Sequence, residues 1–191
     1  MSAPVIVCVD DDADVVRAVA RTLKRERLQP LSTTEPDEAL EWIVENEVAV
    51  LVSDYNMPMM NGIELAARVR DVSPTTVRIM LTGNVDFETA LASINQGEIY
   101  RFVAKPVNLD SLLDVVRKAV ELHQQLAAVA VERERSIQRA RVNAELEAKY
   151  PTITTPARAH DGAYLVQRRA DAVFAGMGID PLLSLRRRTK G

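Results

Sequence analysis

Four short apolar runs, PVIVCV, VAVLVS, TVRIML and IYRFVA, each end on or just before polar residues: Asp10 and Asp11, Asp54, Thr82, and Lys105 with Pro106. If the runs are neighbouring strands, these side chains converge on one sheet edge, where open α/β sheets bind ligands. Three crowded carboxylates repel one another unless a divalent cation sits among them, and hard oxygen donors suit magnesium, so Mg2+ is the expected cofactor. One carboxylate can then attack phosphorus. A lysine ammonium neutralises phosphoryl oxygens and a threonine hydroxyl donates to them, which is the positioning and charge stabilisation that phosphoryl transfer requires. On this reading Asp54 is the nucleophile and forms an aspartyl-phosphate, assisted by Lys105 and Thr82.

The elements that must hold these residues alternate in type. Val5–Val9 is followed by a helical stripe of Val15, Val16, Val19 and Leu23, then by a second extended run near Pro30–Ser32. A helix fits Pro36–Asn46, with proline in its first turn. Val48–Ser53 is apolar on both faces and reads as a buried central strand. A helix over Gly62–Val72, a strand over Val77–Leu81, a helix over Asp86–Asn95, a strand over Ile99–Ala104 and a helix from Leu109, capped by Asn108, complete the pattern. Five such units predict a five-stranded, doubly wound parallel sheet with helices on both faces.

Each polar group has a plainer reading when taken alone. Asp10, Asp11 and Asp12 could end a strand and cap a helix. Asp54 could open the turn suggested by Met57-Pro58 and Asn61-Gly62, Thr82-Gly83-Asn84 is ordinary loop chemistry, and Lys105 could be a solvated lysine beside a stiff turn. Their occurrence at the same ends of successive strands is what favours a shared site.

The blocks VIVCVDDDADV, LVSDYNMPMMNG, IMLTGN and FVAKPVN resemble, in order, the four signature blocks of bacterial response-regulator receiver domains. The resemblance covers about residues 4–122 and implies the flavodoxin-like receiver fold. It implies Asp54 as phosphoacceptor, Asp10 and Asp11 as the acidic pocket, Thr82 as the switch hydroxyl, Lys105 as the conserved cation and the backbone carbonyl of Asn56 as a further magnesium ligand. A cis Lys105-Pro106 bond is also implied. The rotating aromatic of the switch, often tyrosine in the family, is here Phe102, which has no hydroxyl at its tip.

Composition and charge fit a cytoplasmic signalling chain, with no signal peptide and no run long enough to span a bilayer. A single cysteine, Cys8, cannot form an internal disulfide and reads as a buried thiol, whereas His123 and His160 read as surface residues. Residues 1–122 hold 20 Asp+Glu against 12 Lys+Arg, net −8, while residues 123–191 hold 7 against 12, net +5. The expected organisation is a receiver over 1–122, a helical extension or linker over 123–149, and a small segment over 150–191 with a hairpin signal at Asp161-Gly162. No glycine or proline interrupts Leu112–Lys149, and Leu122, Leu126 and Val129 continue an apolar stripe that decays at Arg133, Ser136 and Asn143, so a dimer stalk and a lone helix both stay open. The terminal Arg186-Arg187-Arg188-Thr189-Lys190 run reads as a solvated tail rather than a nucleic-acid contact.

These features point to a phosphorelay protein, not a separate enzyme, that takes its phosphoryl group from a histidine kinase or phosphotransfer protein and signals by protein contact, with a homodimer possible. The alternatives are a DNA-binding transcriptional regulator using the basic extension, and a phosphate sink in which Asn56 and Asn84 position an attacking water.

Overall fold

A computed structural model describes residues 3–83 and 99–150. Five strands, β1 (Val5–Val9), β2 (Gln29–Thr33), β3 (Val48–Asp54), β4 (Val77–Thr82) and β5 (Arg101–Ala104), form one all-parallel sheet in the order β2-β1-β3-β4-β5. The order reverses beside β1, so the chain winds first to one edge and then to the other, as the alternation of strands and helices predicts. Helices α1 (Ala13–Arg25), α2 (Pro36–Glu45), α3 (Gly62–Val72) and α4 (Leu109–Lys149) supply the crossovers and the C-terminal extension. The helix expected over Asp86–Asn95 and the hairpin expected around Asp161-Gly162 lie outside the described residues.

All seven residues of β3 and all six of β4 are buried, in keeping with strands covered on both faces. On one face, Val19 and Leu23 of α1 and Leu112, Val116 and Ala119 of α4 pack on Ile6, Cys8, Val50, Val52, Ile79 and Leu81. On the other, Ala39 and Ile43 of α2 and Leu65 and Val69 of α3 pack on Val7, Val9 and Leu51. Beside that second core, Phe102 packs with Tyr55 and Ile63 against Ala66, Met80 and Ile99.

Local chemistry sets the helix ends. Asp12 caps α1 by accepting the Asp14 N–H at 2.8 Å, and Asn61 and Asn108 cap α3 and α4 in the same way, through the N–H groups of Glu64 and Ser111. The end of α1 is a Schellman turn: Arg27 N–H donates to Lys24 O and Leu28 N–H to Leu23 O, both at 3.3 Å, with Arg27 left-handed at φ 60°.

The chain divides into two compact units, 1–131 and 132–191, and α4 passes from one to the other without a break. In the first unit α4 is tied down at Arg117, 2.6 Å from Glu26, and at His123. The expectation of an exposed His123 is corrected: the ring is buried, with Nδ1 2.9 Å from Thr75 O and Nε2 3.9 Å from Glu47 Oε1. A tertiary carbonyl 48 residues away satisfies the imidazole, which is what makes its burial affordable. Residues 124–145 of α4 are exposed except half-buried Ala127. Among the described residues no helix is long and apolar enough to cross a membrane.

Candidate functional site

The carboxyl ends of β1, β3, β4 and β5 bring the chemistry together. Asp10 follows β1 directly, Asp54 and Thr82 are the last residues of β3 and β4, and Lys105 follows β5. Because β1, β3 and β4 have apolar residues on both faces, their polar ends are the first positions from which side chains can reach outside the sheet. Asp10, Asp54 and Thr82 are nevertheless buried, at 2%, 4% and 7% exposure, while Asp11 is exposed.

Backbone contacts fix the frame. Lys105 N–H donates to Thr82 O at 2.7 Å and Tyr55 N–H to Leu81 O at 2.8 Å, so the chain beyond β5 and beyond β3 is tied to the end of β4. Lys105-Pro106 is cis. The α3 N-terminus is drawn in by Gly62 N–H donating to Tyr55 O at 2.9 Å. Gly62 is required there by space: a Cβ would lie 2.2 Å from Asp54 O and 2.5 Å from Met80 Sδ. Ser53 Oγ donates to the same Asp54 carbonyl at 2.9 Å. The sequence alone reads Gly62 as part of a turn and as the start of a helix, but not as a close approach to Asp54; a glycine at the first helical residue, where it has no propensity advantage, is the available signal.

Lys105 ties the carboxylates together, with Nζ 2.6 Å from Asp54 Oδ1 and 2.8 Å from Asp10 Oδ2. The remaining carboxylate oxygens take backbone donors: Asp54 Oδ2 accepts Asn56 N–H and Asp10 Oδ1 accepts Asp12 N–H, both at 3.0 Å. Burial raises the Asp10 carboxyl above its ordinary value, opposed by Lys105 and the Asp12 N–H and reinforced by the Asp54 charge. Burial works against the Lys105 ammonium, but contact with Asp10 and Asp54 outweighs it and leaves the lysine pKa raised.

The donor set fits a hard divalent cation. One oxygen each of Asp10, Asp11 and Asp54 lie within 4.8 Å of one another. Asp10 Oδ2 is buried with the Lys105 ammonium at 2.8 Å as its one close partner, so it retains a lone pair for a cation. The structure thus brings together Asp10, Asp11, Asp54, Asn56, Thr82 and Lys105. Phe102, on β5, stands half-buried against Met80. Asn84 lies outside the described residues.

Comparison with known proteins identifies the family. The response regulator receiver domain family model matches residues 6–117. The hydrogenase transcriptional regulatory protein HoxA of Cupriavidus necator is 36% identical over 116 residues, 61% of this chain and 24% of HoxA. Among solved structures, the signal receiver domain of an HD domain-containing protein from Pseudomonas fluorescens Pf-5 is 30% identical with a TM-score of 0.62, over 67% of this chain and 94% of that one. A structure titled adenylate cyclase, from Rhodopirellula baltica, is 27% identical with a TM-score of 0.65, over 69% of this chain and 98% of that one. The chain spans about a quarter of the length of the curated relatives it matches.

Proposed function

The chain belongs to the response regulator receiver domain family, and from that premise we propose that Asp54 accepts a phosphoryl group from a phosphohistidine of a histidine kinase or phosphotransfer protein. The observation that carries this reading is the contact of Lys105 Nζ with both Asp54 Oδ1 and Asp10 Oδ2. A carboxylate held against a fixed ammonium is oriented before the donor arrives, and the same cation lies where charge on transferred oxygens must be balanced.

In the transfer an Asp54 carboxylate oxygen forms the new P–O bond while the P–N bond to the donor imidazole breaks, and the departing nitrogen keeps the electron pair. Asp10, Asp11, Asp54 and the backbone carbonyl of Asn56 would hold Mg2+. When bound, the ion supplies charge neutralisation for the phosphoryl oxygens. Lys105 steadies the same charge. The backbone N–H of Asn56 orients Asp54 through Oδ2, leaving the other oxygen to Lys105. Thr82, whose backbone carbonyl accepts the Lys105 N–H at 2.7 Å, would donate its hydroxyl to the phosphoryl group, and Phe102 would be the aromatic that responds to it. The receiver assignment over 1–122, with 123–149 as linker, belongs to the same reading; residues 151–191, to which a DNA-contact alternative would attach, lie outside the described residues.

The test is intact-mass analysis of the full chain after treatment with phosphoramidate, a small P–N donor, with and without Mg2+. One phosphoryl group should add to wild type only with Mg2+, none to Asp54→Asn, and the adduct should be cleaved by hydroxylamine as an acyl phosphate is. An adduct of equal yield on Asp54→Asn sinks the assignment.

A further inference from the structure

Two helices of the first unit carry opposite charge on the same template. In α1, Arg17, Arg21 and Arg25 recur every four residues; in α2, Asp37, Glu41 and Glu45 do the same, and all six are exposed. The buried stripes match as well: Val16, Val19 and Leu23 in α1, Pro36, Ala39 and Ile43 in α2. Each ladder therefore starts one residue after its helix's first buried position and lies on the side facing away from the sheet. At a rise of 1.5 Å per residue both ladders span about 12 Å.

The surroundings sharpen the contrast. Lys24 and Arg27 add to the basic ladder; Glu26 is engaged by Arg117, and Asp14 pairs with Arg17, which leaves Arg21 and Arg25 as the rungs outside any ion pair with a described residue. Glu35, Glu38 and Glu47 flank the acidic ladder, and no lysine or arginine occurs from Leu28 to Ala67. None of Arg21, Arg25, Asp37, Glu41 and Glu45 makes an ion pair with a described residue. Since α1 packs on one face of the sheet and α2 on the other, the two ladders of one molecule cannot meet.

We infer that the acidic ladder of α2 is a docking surface for the basic ladder of α1 from a second copy of this chain. The occupant is specified by charge complementarity at equal spacing. Because the complementary patches lie on opposite faces, the contact is heterologous: after pairing one copy keeps a free α1 and the other a free α2, so association proceeds head to tail. Exposed ion pairs are individually weak and screened by salt, so the contact is a low-affinity one that acts when copies are concentrated. It does not depend on the assignment of Asp54.

The test is sedimentation velocity of the full chain over a concentration series, at about 0.01 M and about 1 M salt, where the screening length falls from about 30 Å to about 3 Å. Wild type should self-associate at low salt and not at high salt. Arg21→Glu with Arg25→Glu, and separately Glu41→Arg with Glu45→Arg, should each weaken association by at least about tenfold, because two exposed attractions become repulsions and such small effects add. All four substitutions in one chain should restore it. Low-salt wild type that stays monomeric, reversals that associate as wild type does, or a fourfold variant that fails to recover each overturn the inference. Circular dichroism confirms that the variants keep their helices.

Discussion

Lys105 and Asp54, joined at 2.6 Å, are 51 positions apart in the chain and stand at the ends of β5 and β3, two strands separated by β4. The lysine reaches across the end of β4, past Thr82, to close the site from the far side.

Replacing Lys105 by Met removes the cation shared by two buried carboxylates. The loss should destabilise the metal-free protein by about 1–2 kcal/mol, allowing for the partial exposure of the lysine. It should also enlarge the melting-temperature rise produced by Mg2+, because a divalent ion no longer competes with an ammonium for Asp10 and Asp54. Thermal melts with and without Mg2+ check this; an unchanged Mg2+ response would show that Lys105 and the ion do not share ligands.

Gly62→Ala places a methyl group against a backbone oxygen as well as the Met80 sulfur, and the backbone cannot swing aside as the methionine can. A cost of about 1–3 kcal/mol is expected from this overpacking. The displaced atom is the carbonyl of Asp54, so the variant should also accept phosphate more slowly from a small donor at temperatures where it remains folded. Denaturant titration and the rate of phosphoryl uptake separate the two effects.

How much of this was legible beforehand depends on the range of the interaction that decides each residue. The buried strand that ends at Asp54 could be read because a run of apolar residues with no polar face, ending in a carboxylate, is informative within seven positions. The helix over Gly62–Val72 was bounded correctly by an Asn-Gly start and local periodicity. His123 was misread because its partner, the Thr75 carbonyl, is supplied by tertiary structure and leaves no local trace. The strand expected from Ile99 begins at Arg101, where pairing with Ile79 starts. The family match bears out the receiver reading and the sheet bears out the fold class.

Cys8 offers a pH-dependent test. Burial pushes its thiol from an ordinary value of 9.0 up to about 12. The folded pKa lies above the unfolded one, so the unfolded chain loses its proton first on the alkaline side. The stabilising contribution is complete below about pH 9 and is lost as pH rises from 9 towards 12. Cys8→Ala should flatten the decline in stability over that window. At neutral pH a thiol reagent should label Cys8 only at the rate of unfolding.

Arg27→Gly should stabilise the protein. Arg27 holds the left-handed position of the Schellman turn at φ 60°, where an L residue costs roughly 1–2 kcal/mol and glycine does not. After the entropy that glycine loses on folding, a net gain of about 0.5 kcal/mol is expected, readable as a raised denaturation midpoint at constant slope.

The contact between Lys105 and Asp10 joins positions at opposite ends of the folded domain's sequence, with β1 and β5 themselves separated in the sheet by β3 and β4. No single strand-helix unit contains the whole site. It comes into being only once the sheet is complete, late on a folding route governed by non-local pairing. A nascent chain is therefore deaf to phosphodonors until its last strand has docked, and competence to receive a signal coincides with completion of the fold.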